Sequence, residues 1–459
     1  MLQLSAASIT ARLDRLPSSR HVWKIIALLS LGGCFEFYDL FFTAYVAPGL
    51  TAKGMFSTTT VELFGFSGFA SFVAALFAGL FVGTLVFGFV ADKFGRRAIF
   101  TFSLLWYTAA TVVMAFQNTA ISIDLWRFIA GIGIGVELVT IDTYVSELIP
   151  KHLRGRAFAF NQFITFMVVP VVAFLSYMLV PTSPLGLDGW RWVVLIGSVG
   201  GIVVWWIRLG IPESPRWLIQ QGRLHEADRI TTAIERAVTA EIGSLPPPEP
   251  STAETERAGG FLEIWQPPYR GRTILMSLYN LFQAIGYYGF ASWVPTLLIA
   301  KGIHVTTSLQ YAFIIAIANP VGPLLGMLIA DRIERKWQVV IAAFAVGAFG
   351  VLFSLPNSDI ALIFCGVMLT MANNWMSFAF HSYQAELFPT RVRARAVGFV
   401  YSWSRFSVIF SGFIIAFILR EAGVSGVFLF IASCMAMVIL LIGLFGPRTR
   451  NLALEEISH

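Results

Sequence analysis

The sequence predicts an all-α membrane protein, with twelve transmembrane helices arranged as two pseudo-symmetric six-helix bundles. The first observation is composition: of 459 residues, 57% are hydrophobic and only 13% are charged. A water-soluble core has no use for that much apolar surface. The second is a set of twelve apolar runs, each near the roughly 20 residues that a helix needs to cross a bilayer. They lie near 23–47, 63–91, 98–117, 121–146, 157–180, 191–210, 272–299, 308–330, 337–355, 359–385, 396–419 and 424–446. The third is an offset of 239 residues that relates Glu147 to Glu386, Pro150 to Pro389, Arg154 to Arg393 and Asp92 to Asp331. A fixed offset recurring at separate places marks an internal repeat. It divides the chain into residues 1–212, a connecting segment 213–271, and residues 272–459.

The basic residues set the expected orientation. With the N-terminus cytoplasmic, loops on that side carry 26 of the 32 Lys and Arg. The opposite side carries five, Lys53, Arg127, Arg191, Lys301 and Arg420, and Arg405 falls within a span. Such a bias places both termini in the cytoplasm. The net charge of +6 then calls for no nucleic-acid partner. Cys34, Cys365 and Cys434 all lie in spans, which implies neither a disulfide framework nor a metal site. The N-terminal 20 residues lack a cleavable signal pattern, so the first span serves as the insertion signal.

Residues 1–22 read as a short amphipathic segment with Arg12, Arg15 and Arg20 near lipid headgroups. The first span carries Gly32, Glu36, Asp39 and Thr43 at helical spacing, one polar stripe on an apolar helix. Counted from Lys24 at 1.5 Å per residue, Glu36 is roughly 18 Å deep and Asp39 roughly 22 Å. In the fourth span Gly131, Gly133 and Gly135 allow another helix to approach closely, and Glu137 and Asp142 follow them. The connecting segment reads as a surface helix over Leu224–Ile242, followed by a proline- and acid-rich linker, 245–256.

A carboxylate at mid-bilayer is costly unless paired, so each one is a candidate functional group. Asp39 and Glu36 lead as proton carriers, with Glu137 and Asp142 behind them. A structural pair with Arg127 or another cation is the competing reading. The second half has no membrane-embedded acid, yet it holds Arg405, whose guanidinium would bind a carboxylate bidentately. That carboxylate is either the substrate's or one across the cavity, on Asp39 or Glu36. Polar stripes also run along span seven (Asn280, Gln283, Tyr287) and span ten (Asn374, Ser377, His381, Gln384). Tyr288, Trp293, Trp375 and Trp403 lie nearby in sequence. Amides and aromatics around one cavity suit a small, partly aromatic ligand, although for any single one of them hydrogen bonding between helices is the stronger reading.

Gly88-Phe-Val-Ala-Asp92-Lys-Phe-Gly95-Arg96-Arg97 resembles the signature of the major facilitator superfamily between its second and third spans. The second copy degrades to Asp331-Arg-Ile-Glu334-Arg335-Lys336. Arg127 with its glycines resembles the superfamily's fourth-span motif, and Pro212-Glu-Ser-Pro-Arg-Trp-Leu resembles a segment shared by sugar porters and organic-ion carriers. The resemblance implies two bundles that rock about a midplane site. It also implies a gate at the basic ends, formed by Asp92, Arg96, Arg97, Glu147, Arg154, Arg156, Glu386, Arg391, Arg393 and Arg395, latching bundle to bundle. Asn161-Gln162 is similar to the span-five pair of sugar porters, but Ser277 and Leu278 replace their span-seven glutamines. Tyr287-Tyr288-Gly289 through Trp293-Val-Pro295 resembles nicotinate-type, synaptic-vesicle-protein-like and organic-ion relatives. Phe35-Glu-Phe-Tyr-Asp39 resembles the first-span motif of bacterial aromatic-acid and metabolite:proton symporters, and Arg405 resembles the span-eleven arginine of organic-anion carriers.

The expected protein is therefore a proton-coupled symporter of the bacterial inner membrane for a small organic anion, such as an aromatic or heterocyclic monocarboxylate. It would be a monomer driven by the proton gradient, with no other cofactor. A sugar or polyol symporter is the runner-up. A drug/proton exporter and a non-transporting binding protein are further alternatives. No nucleophile–base constellation or phosphate loop points to an enzyme.

Overall fold

The structure is a computed structural model that describes residues 5–57, 68–87, 93–200, 203, 206–207, 210–248, 261–329, 333–355, 358–388 and 390–448. Asp92, Asp331 and most of the 245–256 linker fall outside the described residues, as do the side chains of Asp142, Arg391 and Arg393. The described chain is helical almost throughout. Eight helices are long and apolar enough to cross a membrane, and one of them, Arg395–Phe445, is 51 residues long and carries two spans. Within it Gly423 adopts φ 65°, a left-handed turn that separates spans eleven and twelve.

In hydrocarbon every backbone group must be satisfied within its own helix, and breaks occur where proline prevents this. The fifth span is divided into Arg154–Phe166 and Val168–Leu179, with Pro170 lacking the N–H that would bond back to Phe166. The eighth, Val305–Ala316 and Val321–Ile329, is interrupted at Pro320 in the same way. Asn374 of span ten (Asp359–Glu386) repairs that break: its amide nitrogen donates to the Asn319 carbonyl and side-chain oxygens, each at 3.1 Å.

Span two (Phe69–Phe87) lies against span four (Ala120–Leu148) at backbone distance. A methyl added at Gly131 would stand 2.5 Å from the Leu76 carbonyl oxygen, and one at Gly83 would stand 2.2 Å from that of Ile132. Gly133 instead faces span three (Arg96–Ala115), where a methyl would meet Trp106 at 2.7 Å. The halves meet along two seams. Span two packs on span eleven, with Phe81 and Phe406 at 6.1 Å and Gly412 over Ala70. Span five packs on span eight, with Phe174 and Phe313 at 5.4 Å. The 239-residue offset carries span two onto eight and span five onto eleven, so the two seams are images of each other.

The N-terminal helix, Ala6–Asp14, corrects the expectation of headgroup contact. Its arginines are spent on the helix Leu224–Ile242. Arg12 donates to Glu235 at 3.0 Å and to Thr232 at 2.7 Å, Arg15 donates to Glu235 at 3.1 Å, and Asp14 pairs with Arg216 at 2.6 Å. Burial alone would raise the Glu235 carboxyl, but the two guanidiniums outweigh it and hold the group below the ordinary glutamate range. A depressed carboxyl contributes stability above its unfolded pKa and loses it as pH falls through the folded one. The docked helix is therefore expected to release only under acid conditions, below roughly pH 4.3, the ordinary glutamate value. Energy transfer between dyes on Ala7→Cys and Arg236→Cys, in a background free of Cys34, Cys365 and Cys434, should stay constant near neutrality and fall in acid. Release already at pH 7 would refute the clamp.

Candidate functional site

A cavity of about 550 Å³ lies between the two halves. The first half contributes Glu36, Thr143, Asn161 and Gln162, and the second contributes Gln283, Tyr287, Tyr288, Ser377, His381, Gln384 and Arg405. Its wall continues to Ser146, Phe158, Val397 and Gly398, next to the basic loops, so the cavity opens at that end. The other end is shut by aromatic contacts between the halves: Phe69 on Trp293 at 5.0 Å and Phe77 on Tyr288 at 4.6 Å.

Arg405 is buried in this wall. Its guanidinium donates to the hydroxyls of Tyr288 at 3.2 Å and Tyr401 at 3.1 Å, and stacks over the Tyr401 ring at 4.7 Å. Among the described residues no carboxylate lies within salt-bridge distance of it. The alternative of a bridge across the cavity to Asp39 or Glu36 is not realised. Tyr401 is absent from the sequence expectations, although its place four residues before Arg405 puts both on one helix face. His381 donates through Nδ1–H to the Ser377 carbonyl at 2.7 Å and packs 5.5 Å from Tyr401. The other side of the cavity is aromatic, with Phe37, Phe41 and Phe166.

Glu36 and Asp39 diverge although they share the stripe of span one (Arg20–Ala52). Glu36 lines the cavity, whereas Asp39 turns into the first half and pairs with Arg127. Arg127 is wholly buried, which corrects its assignment to the loops. One of its Nη nitrogens bonds the Asp39 carboxylate, and the other bonds the Asp39 carbonyl at 2.6 Å and the Thr43 hydroxyl. Thr111 donates to the second Asp39 oxygen at 2.8 Å. The guanidinium also stacks over Phe42 at 4.3 Å. Glu137 is fully buried beyond the cavity wall, with neither oxygen hydrogen-bonded, and interacts electrostatically with Glu36 and Asp39.

Several expected lining residues stand elsewhere. Asn280 bonds back to the Met276 carbonyl of its own helix at 2.8 Å. Trp375 points to Gln338 of span nine at 3.4 Å, and Trp403 packs on Phe399 and Phe406. Asn374 braces span eight and accepts from Tyr287 at 3.1 Å, beside the cavity rather than in it. The periodic stripes were right about helix faces, but a helix in a bundle has two or three covered faces and only one meets the cavity.

The latches are expected to join the bundles when the gate at the basic end is closed, and here the cavity is open at that end. Arg96 pairs with Glu147 at 2.9 Å, and Arg335 pairs with Glu386 at 2.6 Å. These two ion pairs are images of each other under the repeat. Each lies within one half, so in this structure they brace loops and do not bridge the bundles. Glu213 accepts from the backbone N–H of Arg96 at 3.1 Å, joining the Pro212 segment to the start of span three. Arg154 reaches the Ile149 carbonyl at 3.4 Å, and Arg156 and Arg395 are exposed.

A helical bundle pair enclosing a central cavity, open at one end and lined by both halves, defines a membrane transporter of the major facilitator superfamily. The model of the family "Sugar (and other) transporter" matches residues 25–459, and the chain belongs to that family. It is 32% identical over 440 residues to the putative metabolite transport protein YyaJ of Bacillus subtilis, covering 95% of each chain. It is 27% identical to the niacin transporter NiaP of Acinetobacter baylyi, covering 98% of this chain and 99% of that one. In fold it is similar to the xylose transporter XylE of Escherichia coli in a partially occluded inward-open conformation, with a TM-score of 0.75, 19% identity, and coverage of 95% of this chain and 100% of that one.

The geometry predicts a labelling pattern. In a background without the native cysteines, Glu36→Cys, Gln283→Cys and His381→Cys should react with a water-soluble thiol reagent supplied at the basic-loop end. Trp375→Cys and Trp403→Cys should stay unlabelled. Equal labelling of both sets, read by mass spectrometry, would contradict the cavity as described.

Proposed function

We propose that this protein is a proton-coupled symporter that imports a small organic anion, an aromatic or heterocyclic monocarboxylate, by alternating access. The observation that carries the reading is Arg405: a buried guanidinium in the cavity wall, steadied by two tyrosine hydroxyls and without a carboxylate partner among the described residues. A charge held inside a membrane protein either pairs internally or marks a ligand path. A substrate carboxylate on Arg405 would supply the missing charge through its planar fork. The aromatic wall of Phe37, Phe41 and Phe166 suits a flat ring, and Gln283, Gln384 and His381 offer groups to bond a ring heteroatom. The likeness to a niacin transporter agrees with such a cargo.

With the basic loops cytoplasmic, in a bacterial inner membrane, the cavity opens inward. Asp39 is the proton carrier and Arg127 its partner. With the site facing outward, a proton enters onto Asp39 and the anion seats on Arg405. The halves rock along the span two–eleven and five–eight seams, and both cargoes leave inward. One chain is the working unit, and the proton gradient is the only driving force required. A sugar or polyol cargo is the second reading, favoured by Gln162, Asn161 and Gln283 in the wall.

Purified protein in proteoliposomes tests the reading, with radiolabelled nicotinate, benzoate and xylose as probes. An inward acid gradient should drive accumulation of a monocarboxylate and not of the sugar. Arg405→Lys should weaken anion binding by about 10- to 100-fold, the worth of a charge-assisted fork. Asp39→Asn should abolish accumulation against a gradient yet permit exchange. Accumulation of xylose alone would install the sugar reading, and unchanged affinity in folded Arg405→Lys would remove the anion argument.

A further inference from the structure

Asp124 stands one turn before Arg127 on the fourth span, at i and i+3, on the same side of the helix. It is only 4% exposed, and neither of its carboxylate oxygens has a hydrogen-bond partner. Ser71 of span two is within hydrogen-bonding reach of it, although in this state its hydroxyl donates to the Gly68 carbonyl at 2.7 Å. The other buried guanidinium at this end, Arg191, is committed elsewhere. It donates to the carbonyls of Ala115 and Gln117, the latter at 2.9 Å, to Asn118 at 2.7 Å, and pairs with Asp188 at 3.4 Å. A buried carboxylate left without a counter-charge is costly, and among the described residues no cation pairs with Asp124 in this state.

The partner it lacks becomes available in another step of the cycle. Arg127 bonds Asp39 through both Nη nitrogens, while its Nε has no partner. The other ionisable groups around the pair are Glu36 and Tyr38 on span one, Tyr107 on span three and Glu137 on span four, none of them a cation. Protonating Asp39 therefore strips Arg127 of its counter-charge inside the bilayer, where an unpaired guanidinium is expensive. Helical side chains lean towards the helix N-terminus, which for Arg127 is the direction of Asp124.

We propose that Asp124 is the second counter-ion of Arg127, a positioning residue that receives the guanidinium when Asp39 takes up its proton. Arg127 then alternates between two carboxylates, on Asp39 in the state described here and on Asp124 in the proton-loaded state. Its return to Asp39 expels the proton. The inference rests on Asp39 being the proton carrier proposed above.

The test is a melting cycle on the purified full chain at pH 8, where Asp39→Asn stands in for the protonated group. Asp39→Asn and Asp124→Asn should each lower the melting temperature by no more than about 3 °C, because one carboxylate still serves Arg127. The double variant should fall by about 10 °C or more, far beyond the sum. Asp39→Asn with Asp124→Glu should melt like Asp39→Asn alone, a rescue that a merely space-filling Asp124 would not give. Additive losses, or no rescue by Glu, overturn the proposal. Should the double variant fail to fold, adding Arg127→Gln removes the stranded charge. Recovery of folded protein then supports the exchange, and continued failure overturns it. The cycle involves no transport: an additive cycle beside working proton-driven uptake sinks the role of Asp124 alone. A non-additive cycle without such uptake sinks the symport reading.

Discussion

The structure depends on one buried ion pair. Arg127 and Asp39 lie where water cannot solvate either charge, so neither is stable there without a counter-charge. The surroundings are built to hold them. Glycines on spans two and four bring those helices into backbone contact, which sets the register of Arg127 against span one. Thr43 and Thr111 add hydrogen bonds to the guanidinium and the carboxylate, and Phe42 covers the guanidinium face. Replacing either charge changes what the other can do, which is why such a pair suits a site that must exist in two protonation states.

The internal repeat is kept at the periphery and abandoned at the centre. The loop pairs Arg96–Glu147 and Arg335–Glu386 match across the offset, as do the two seams between the halves. At the cavity the equivalents of charged residues are apolar: Leu278 stands for Asp39, Gly366 for Arg127 and Phe166 for Arg405. The frame is symmetric because rocking needs two equivalent hinged bodies. The asymmetry keeps the Arg405 guanidinium on the cavity wall apart from the Asp39 carboxylate, which pairs with Arg127 inside the first half.

Much of this was legible in the sequence. Long apolar runs, glycines four apart on a helix and the 239-residue offset report backbone-level constraints, and the helices and their close packing follow from them. The intramembrane charges were legible for the same reason, since each is costly enough to need a cause. What was not legible is which face of a helix meets the cavity. Asn280 and Trp403 sit on polar or aromatic stripes yet turn into helix contacts, and only the packing of neighbouring spans decides this. Asp124 went unremarked because it is close to a span's end, where an acid ordinarily meets water. Arg12 and Arg15 looked like headgroup ligands until the helix Leu224–Ile242 supplied closer carboxylates.

The separation of the two charged sites constrains how coupling works. Arg405 lines the cavity, while Asp39 lies behind its wall, bonded to Arg127 and Thr111. No contact joins an anion on Arg405 to a proton on Asp39, so the two ligands cannot be linked by touching. Under the proposed symport, linkage would pass through the equilibrium between inward- and outward-open forms, each ligand favouring the same form by its own differential contacts. Glu36, on the cavity side of the same helix, lines the cavity and interacts electrostatically with the buried Glu137. In this arrangement the first span is the element on which substrate and proton act together.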